Sequence, residues 1–301
     1  MKADDRFLVQ PREFWANVRL ISEQVGYTIR GADAIKVPTV VEIREAFAKL
    51  GLDPGRIVGA SDDLSDLGTE LLAYFEHRAG TLNDRVRPML MDKDEARIVF
   101  DDLFDQLRPS APIPMNKQKG DKKAPAFLTG IVNMLVEHHA DGLPCDYDPR
   151  TLTSITRDGV PLRTLARRVD GAFTTAVDPI AVWEIKEYYY TTTFGSRVAD
   201  GVYETLLDGF ELQELRESEG VHVGHYLIVD GRFTWWDCGR SYLCRIIDML
   251  HMGVLDEAIF GRETLDRLPS LVEEWVAVAR IRGAGQPAQL QTQLRLDETD
   301  S

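Results

Sequence analysis

The chain has 301 residues, a formal net charge of −14 at pH 7 and 44% hydrophobic residues. This length allows one large or two ordinary domains with a sizeable core, and the acidic balance argues against a general polyanion binder. No segment approaches the roughly 20 apolar residues that a membrane-spanning helix needs, and the polar start resembles no secretory signal, so a cytoplasmic location without a membrane is expected.

Residues 1–115 are predicted to form a mainly helical region. Pro11 suits the start of a first helix, and Thr39 suits the cap of a second that ends at Gly51. The predicted helices cover residues 11–25, 40–50, 66–78 and 93–107. No catalytic constellation is visible here, so packing, recognition and dimerisation remain equal possibilities for this half.

Residues 116–125 form a basic linker loop in the prediction, since prolines and then lysines follow one another with few apolar residues. Its lysines are Lys117, Lys119, Lys122 and Lys123. Flexible lysines beside a catalytic half could contact phosphates, and the alternative is that they only keep an exposed loop solvated.

Residues 126–282 are predicted to form an α/β region, followed by a flexible tail at 283–301. Helices are expected at 127–140, 196–217, 241–252 and 268–280, and strands at 152–158, 162–171, 180–190 and in a hairpin spanning 224–237. This order predicts a central mixed sheet flanked by helices. The hairpins argue against a doubly wound parallel sheet, and the absence of a glycine-rich nucleotide loop argues against a nucleotide cofactor.

Two charges interrupt the apolar strand at 180–190. Glu184 and Lys186 share one face of it because strand side chains alternate. Asp178, followed by a proline, marks a turn before this strand. A hairpin folded near residue 177 places Asp170 opposite Glu184, whereas Asp178 lies too close to the turn to reach it.

These residues suit phosphodiester hydrolysis, in which Mg²⁺ is held by carboxylates and substrate phosphate. Asp170, Glu184 and the backbone carbonyl of Ile185 are the expected ligands. Lys186 would orient or deprotonate the attacking water, or stabilise the developing charge. The alternative is that Glu184 and Lys186 only form an ion pair on the face of the strand.

Asp170 followed by Glu184-Ile185-Lys186 resembles the PD-(D/E)xK signature of restriction-endonuclease-like nucleases, although Val169 replaces the proline. The resemblance covers roughly residues 126–240. It implies a restriction-endonuclease-like core and Mg²⁺-dependent cleavage of DNA, with Mn²⁺ as a substitute. It also implies a catalytic or metal-supporting role for Glu137, on the helix before the hairpin.

A type II restriction enzyme acting on double-stranded DNA as a homodimer is what the resemblance implies for the whole protein. Ser196 and Arg197, at the start of a predicted helix, could bind a phosphate, or could simply begin an ordinary helix. Two other functions stay open: a non-catalytic nucleic-acid-binding or assembly subunit of a defence or repair complex, and a structure-specific or RNA nuclease with the same site.

Overall fold

A computed structural model describes residues 1–29, 31–59, 61–116, 119–120, 123–190 and 195–284. The predicted class is confirmed: a helical N-terminal region precedes a mixed sheet with helices on both faces. The predicted tail lies almost entirely outside the described residues. Within the described ranges, no helix combines the length and the apolarity needed to cross a membrane.

The N-terminal helices follow the sequence signals closely. Thr39 caps its helix through a reciprocal pair of hydrogen bonds with Glu42, which satisfies two backbone donors at the helix start. The helices are α1 (Asp5–Leu8), α2 (Arg12–Val25), α3 (Val40–Lys49) and α4 (Asp66–Gly80). Their apolar faces enclose a core that includes Phe14, Tyr74 and Phe75.

The chain then passes from the helical region onto the sheet. A π-helical turn (Thr81–Val86) and the short α5 (Arg87–Met89) continue α4. Helix α6 (Lys93–Leu107) begins at Asp92, whose side chain accepts hydrogen bonds from two backbone N–H groups. Its Phe100 packs against Gly130, so α6 belongs to a layer that covers the sheet.

Five strands of the described chain form one mixed sheet in the order β1-β4-β5-β6-β7. Strands β1, β4 and β5 are antiparallel neighbours, whereas β5, β6 and β7 run parallel. The sheet strands are β1 (Cys145–Asp146), β4 (Gly171–Phe173), β5 (Ala181–Glu187), β6 (Gly224–Asp230) and β7 (Glu257–Phe260), and the separate hairpin is β2 (Ser154–Arg157) with β3 (Val160–Thr164).

Helices cover both faces of this sheet. They are α7 (Phe127–His139), α8 (Ser196–Glu219), α9 (Arg240–His251) and α10 (Glu263–Ala284). Trp183 and Ile185 of β5 share a core with residues of α7 and α10. Glu184 and Lys186 point to the opposite face, where α8 lies.

Two parts of the predicted strand pattern differ from the structure: the hairpin at 224–237 and the strand at 162–171. The segment 224–237 is not a hairpin, because β6 ends at Asp230 and a π-helical turn (Phe233–Cys238) follows. The Asp230 side chain accepts hydrogen bonds from Gly231 and from Met91, so it fixes a chain crossing rather than a tight turn. Strand β7, which was not predicted, pairs parallel with β6. This pairing joins residues far apart in the sequence, so no local pattern indicates it.

The predicted strand 162–171 is divided in two by a loop at residues 165–170. Leu165 leaves β3 and donates its N–H to the carbonyl of Thr153, and Leu165 and Val169 are both buried in the core beneath the loop. The apolar residues that suggested one strand therefore pack as an ordered loop. This loop carries Arg167 and Asp170 to the sheet.

Candidate functional site

Asp170 lies next to Glu184 at the end of the β4–β5 ladder. The antiparallel register of β4 and β5 ends with Gly171 paired with Trp183, and Asp170 is the residue before Gly171. The Asp170 N–H donates to the Trp183 carbonyl at 3.1 Å. Asp170 Oδ2 accepts a hydrogen bond from the Ile185 N–H at 2.8 Å. The carboxylate is therefore held at the edge of β5 by the backbone of that strand.

Two glycines permit the close packing around this site. A Cβ atom on Gly171 would lie 2.1 Å from Trp183 Cε2, so only glycine lets the indole cross β4. A Cβ atom on Gly201 would lie 3.1 Å from Lys186 Cδ. Helix α8 therefore approaches β5 closely at the first turns after its start.

Glu184 is fully buried between two cations. Lys186 Nζ donates to Glu184 Oε2 at 2.7 Å, and Arg167 Nη1 lies 2.8 Å from Glu184 Oε1. Arg167 comes from the loop before β4, and it was not identified from the sequence. Its position next to Asp170 in the chain was the available signal, since any hairpin that delivers Asp170 to β5 also delivers the residues just before it.

Helix α8 adds two more carboxylates that sequence reasoning missed. Asp208 Oδ2 accepts a hydrogen bond from Arg167 Nη1 at 2.6 Å, and Glu204 Oε2 lies 3.4 Å from both Lys186 Nζ and Arg167 Nη2. The signal was present, since residues four apart share one helix face. Glu211, one turn further, accepts a hydrogen bond from the Ala166 N–H, so the acidic stripe of α8 faces the loop.

Burial and neighbouring charges shift the titration of these groups. Burial, with the nearby Glu184 charge, raises the pKa of Asp170 to about 6. Burial likewise raises the pKa of Asp208 to about 7. Burial also acts to raise the pKa of Glu184, but Lys186 and Arg167 outweigh it and the pKa is lowered. For Lys186, burial acts to lower the pKa, yet Glu184 and Asp170 outweigh it and the pKa is raised.

The donor set fits a hard divalent cation such as Mg²⁺, which binds carboxylate oxygens. Asp208 Oδ1 is buried and accepts no hydrogen bond within the described chain, whereas Glu184 Oε1 lies 2.8 Å from Arg167 Nη1. A buried oxygen without a partner is costly unless a cation compensates it. No three His, Cys, Asp or Glu side chains among the described residues already converge as a metal site. The Arg167 guanidinium lies between Glu184 and Asp208, two carboxylates that would have to approach the same cation.

Comparison with protein families adds a classification without a known activity. Residues 91–275 match the domain of unknown function DUF7687, which is more than half of the chain. The protein belongs to this family. Residues 1–85 match a second domain of unknown function, DUF7690. A search of curated proteins and a search of solved structures each found no match.

Glu137 lies away from Glu184 and from the residues that contact it. It lies on α7, which packs against the face of β5 that carries Trp183 and Ile185, opposite the face of Glu184. Its carboxylate accepts hydrogen bonds from the backbone N–H and the hydroxyl of Ser110. This placement corrects the prediction that Glu137 supports the metal, because the sheet lies between Glu137 and Glu184.

Three of the residues expected to contact phosphate are exposed in the described part of the chain. Lys119 and Lys123 are exposed in the loop before α7, whereas Lys117 and Lys122 fall outside the described residues. Arg197 is exposed in the first turn of α8, and its carbonyl accepts a hydrogen bond from the Tyr188 hydroxyl at 3.1 Å. The Ser196 side chain lies outside the described part of the structure. The described lysines and Arg197 are therefore open to a ligand.

Proposed function

We propose that this protein is a Mg²⁺-dependent endonuclease that hydrolyses DNA phosphodiester bonds, with Mn²⁺ able to replace Mg²⁺. The observation that carries the proposal is the hydrogen bond that holds Asp170 on the backbone of Ile185, next to Glu184, with Lys186 Nζ 2.7 Å from Glu184 Oε2. Two carboxylates and a lysine in this arrangement are suited to hold a cation against a phosphate.

The proposed roles follow from these positions. Asp170, Glu184 and the Ile185 carbonyl would hold the cation, because Asp170 is already hydrogen-bonded to the backbone of Ile185. Bound Mg²⁺ would supply charge neutralisation at the phosphate and a water of lowered pKa. Lys186 would orient or deprotonate the attacking water, or stabilise the charge that develops on the phosphate.

The wider setting of this activity is also a proposal. The resemblance to PD-(D/E)xK nucleases supports a type II restriction-type role in defence, with double-stranded DNA as substrate. Cleavage of both strands would be served by a homodimer with two sites. The exposed Lys119, Lys123 and Arg197 are candidates for contacts with the DNA backbone.

One experiment tests the activity directly. Purified protein is incubated with supercoiled plasmid, with and without Mg²⁺ or Mn²⁺, beside the variants Asp170→Asn and Lys186→Met. We expect metal-dependent cleavage by the wild type and a loss of at least about 100-fold in each variant, as for removal of a general acid–base or charge-stabilising group. Lys36→Met is a matched control, because Lys36 also forms a partly buried ion pair, with Glu42 in the helical region.

The result that would contradict the activity is also defined. Absence of cleavage on methylated and unmethylated double-stranded DNA, on single-stranded DNA, on branched DNA and on RNA would exclude a nuclease. Cleavage of branched DNA or RNA alone would support the structure-specific or RNA nuclease instead.

A non-catalytic role is the second candidate, and the full burial of Glu184 between Lys186 and Arg167 favours it. Ion pairs of this kind would hold β5 and the loop before β4 together without any chemistry. A protein that retards DNA in a gel without cleaving it, and equally well in a chelator, would support the binding or assembly subunit.

A further inference from the structure

Arg167 holds a central position among the carboxylates. Its Nη1 atom lies 2.8 Å from Glu184 Oε1 and 2.6 Å from Asp208 Oδ2, and its Nη2 atom lies 3.4 Å from Glu204 Oε2. One guanidinium therefore links strand β5 to helix α8. The guanidinium lies between Glu184 and Asp208, at the position that a cation bound by both carboxylates would occupy.

The contacts of Arg167 leave one of two buried carboxylates incompletely satisfied. Glu184 and Asp208 both have a relative exposure of 0%. Glu184 Oε1 lies 2.8 Å from Arg167 Nη1, whereas Asp208 Oδ1 has no hydrogen-bond donor in the described part of the chain. A buried ionised oxygen without a donor is costly, whereas direct coordination to a cation would satisfy it.

The charge balance of the cluster also favours a further cation. Four carboxylates meet two basic side chains there, Lys186 and Arg167. The carboxylates are Asp170, Glu184, Glu204 and Asp208. The cluster therefore carries excess negative charge even with both basic residues in place, which attracts a divalent cation.

Arg167 is better placed to leave than Lys186. The Arg167 side chain is 23% exposed and comes from a loop, whereas the Lys186 side chain is 9% exposed and lies on a central strand beneath α8. An arginine with an open path to solvent can turn outward without unfolding the sheet. The two basic residues thus differ in how readily each vacates the site.

We propose that Glu184 and Asp208 form a cation subsite, that Asp208 is a metal ligand there, and that Arg167 occupies this subsite until a divalent cation displaces it. This inference rests on the proposed metal-dependent function and extends it. It explains why the described carboxylates do not converge as a ready metal site while Arg167 separates them.

The test measures Mn²⁺ binding by titration calorimetry, which requires no substrate. Arg167→Gln should bind Mn²⁺ at least about tenfold more tightly than the wild type, because a like charge in contact with the site is removed. Asp208→Asn should bind at least about tenfold more weakly, since it loses a charged ligand. Arg163→Gln is the matched control: Arg163 is 25% exposed, pairs with Glu214 of the same helix α8, and its loss should leave Mn²⁺ affinity unchanged.

A second measurement uses the unaltered protein, so it does not depend on how well a variant folds. Modification of arginines by a dicarbonyl reagent is followed by mass spectrometry. Mn²⁺ should increase the modification rate of Arg167 and leave that of Arg163 unchanged. A rate for Arg167 that Mn²⁺ leaves unchanged or lowers would overturn the displacement.

The failures of the two proposals are distinguishable. If Glu184→Gln abolishes Mn²⁺ binding while Arg167→Gln and Asp208→Asn match the wild type, the subsite is wrong and the metal-dependent function stands. If neither the wild type nor folded Arg167→Gln binds Mn²⁺, both proposals are wrong. Tighter binding by Arg167→Gln, lost again in the double variant with Asp208→Asn, supports the subsite.

Discussion

Asp230 is a fully buried carboxylate that joins the two halves of the chain. It is the last residue of β6, and its Oδ1 atom accepts hydrogen bonds from the backbone N–H groups of Met91 at 2.8 Å and Gly231 at 2.7 Å. Its Oδ2 atom accepts a hydrogen bond from the Tyr189 hydroxyl at 2.6 Å. Burial nevertheless dominates and raises the pKa of Asp230 to about 7.

This shift makes stability depend on pH in a defined direction. An unfolded aspartate has a pKa of about 3.9, so the folded protein binds this proton more tightly. The stabilisation from protonated Asp230 is fully present below about pH 4 and is lost as pH rises through about 7. Relative to the protein with Asp230 fully protonated, this linkage lowers the free energy of unfolding by on the order of 1.5 kcal/mol at pH 5 and 4 kcal/mol at pH 8. The free energy of unfolding therefore falls by about 2.5 kcal/mol from pH 5 to pH 8.

The substitution Asp230→Asn isolates this effect. The asparagine oxygen still accepts from Met91 and Gly231, while its NH₂ group donates to the Tyr189 hydroxyl, which rotates to accept. The variant should therefore gain stability relative to the wild type by about 2.5 kcal/mol between pH 5 and pH 8. Glu187, the register partner of Asp230 on the adjacent strand, is present in both proteins; its pKa is raised mainly by burial and to a smaller extent by the Asp230 charge, so the substitution acts in the same direction there.

Urea unfolding followed by circular dichroism at pH 5, 6, 7 and 8 measures this difference. Asp237→Asn is the control, because Asp237 is exposed in the segment that follows, and its effect should stay within about 0.5 kcal/mol at each pH. If the difference between wild type and Asp230→Asn is the same at pH 5 and pH 8, the raised pKa of Asp230 is refuted.

Two other substitutions test charged side chains outside the candidate site. Arg78→Met should lower the free energy of unfolding by about 3–5 kcal/mol, since Arg78 is 1% exposed and its loss leaves Asp248 buried with only the Tyr74 hydroxyl as a described donor. Adding Asp248→Asn should restore part of that loss in urea unfolding, and no restoration would contradict a purely charge-based cost. Glu137→Gln should leave Mn²⁺ affinity and plasmid cleavage unchanged while lowering stability by about 1 kcal/mol through weaker bonds to Ser110. A loss of cleavage in a folded Glu137→Gln protein would show that Glu137 contributes to the reaction after all.

Local signals predicted much of this protein because their causes are local. The capping box at Thr39 and the start of α6 at Asp92 follow from backbone donors that need a partner within three residues. The alternation of Glu184 and Lys186 against Trp183 follows from the pleat of one strand.

The proximity of Asp170 to Glu184 was also within reach of the sequence, because a hairpin fixes the register of residues on either side of its turn, and Gly171 pairs with Trp183 in that register. The sequence therefore determined the helical N-terminal region, the central strand and the proximity of two carboxylates there.

Tertiary structure decided what surrounds that pair. Whether α7 or α8 covers the face of Glu184 depends on how the chain crosses the sheet, and the crossing places Glu137 on the wrong face and Asp208 on the right one. Asp230-Gly231 has the local pattern of a hairpin turn, yet it sits where Met91 arrives from far along the chain. Contacts between residues that are distant in sequence leave little trace in any short segment, and the position of Arg167 between the carboxylates depends on them.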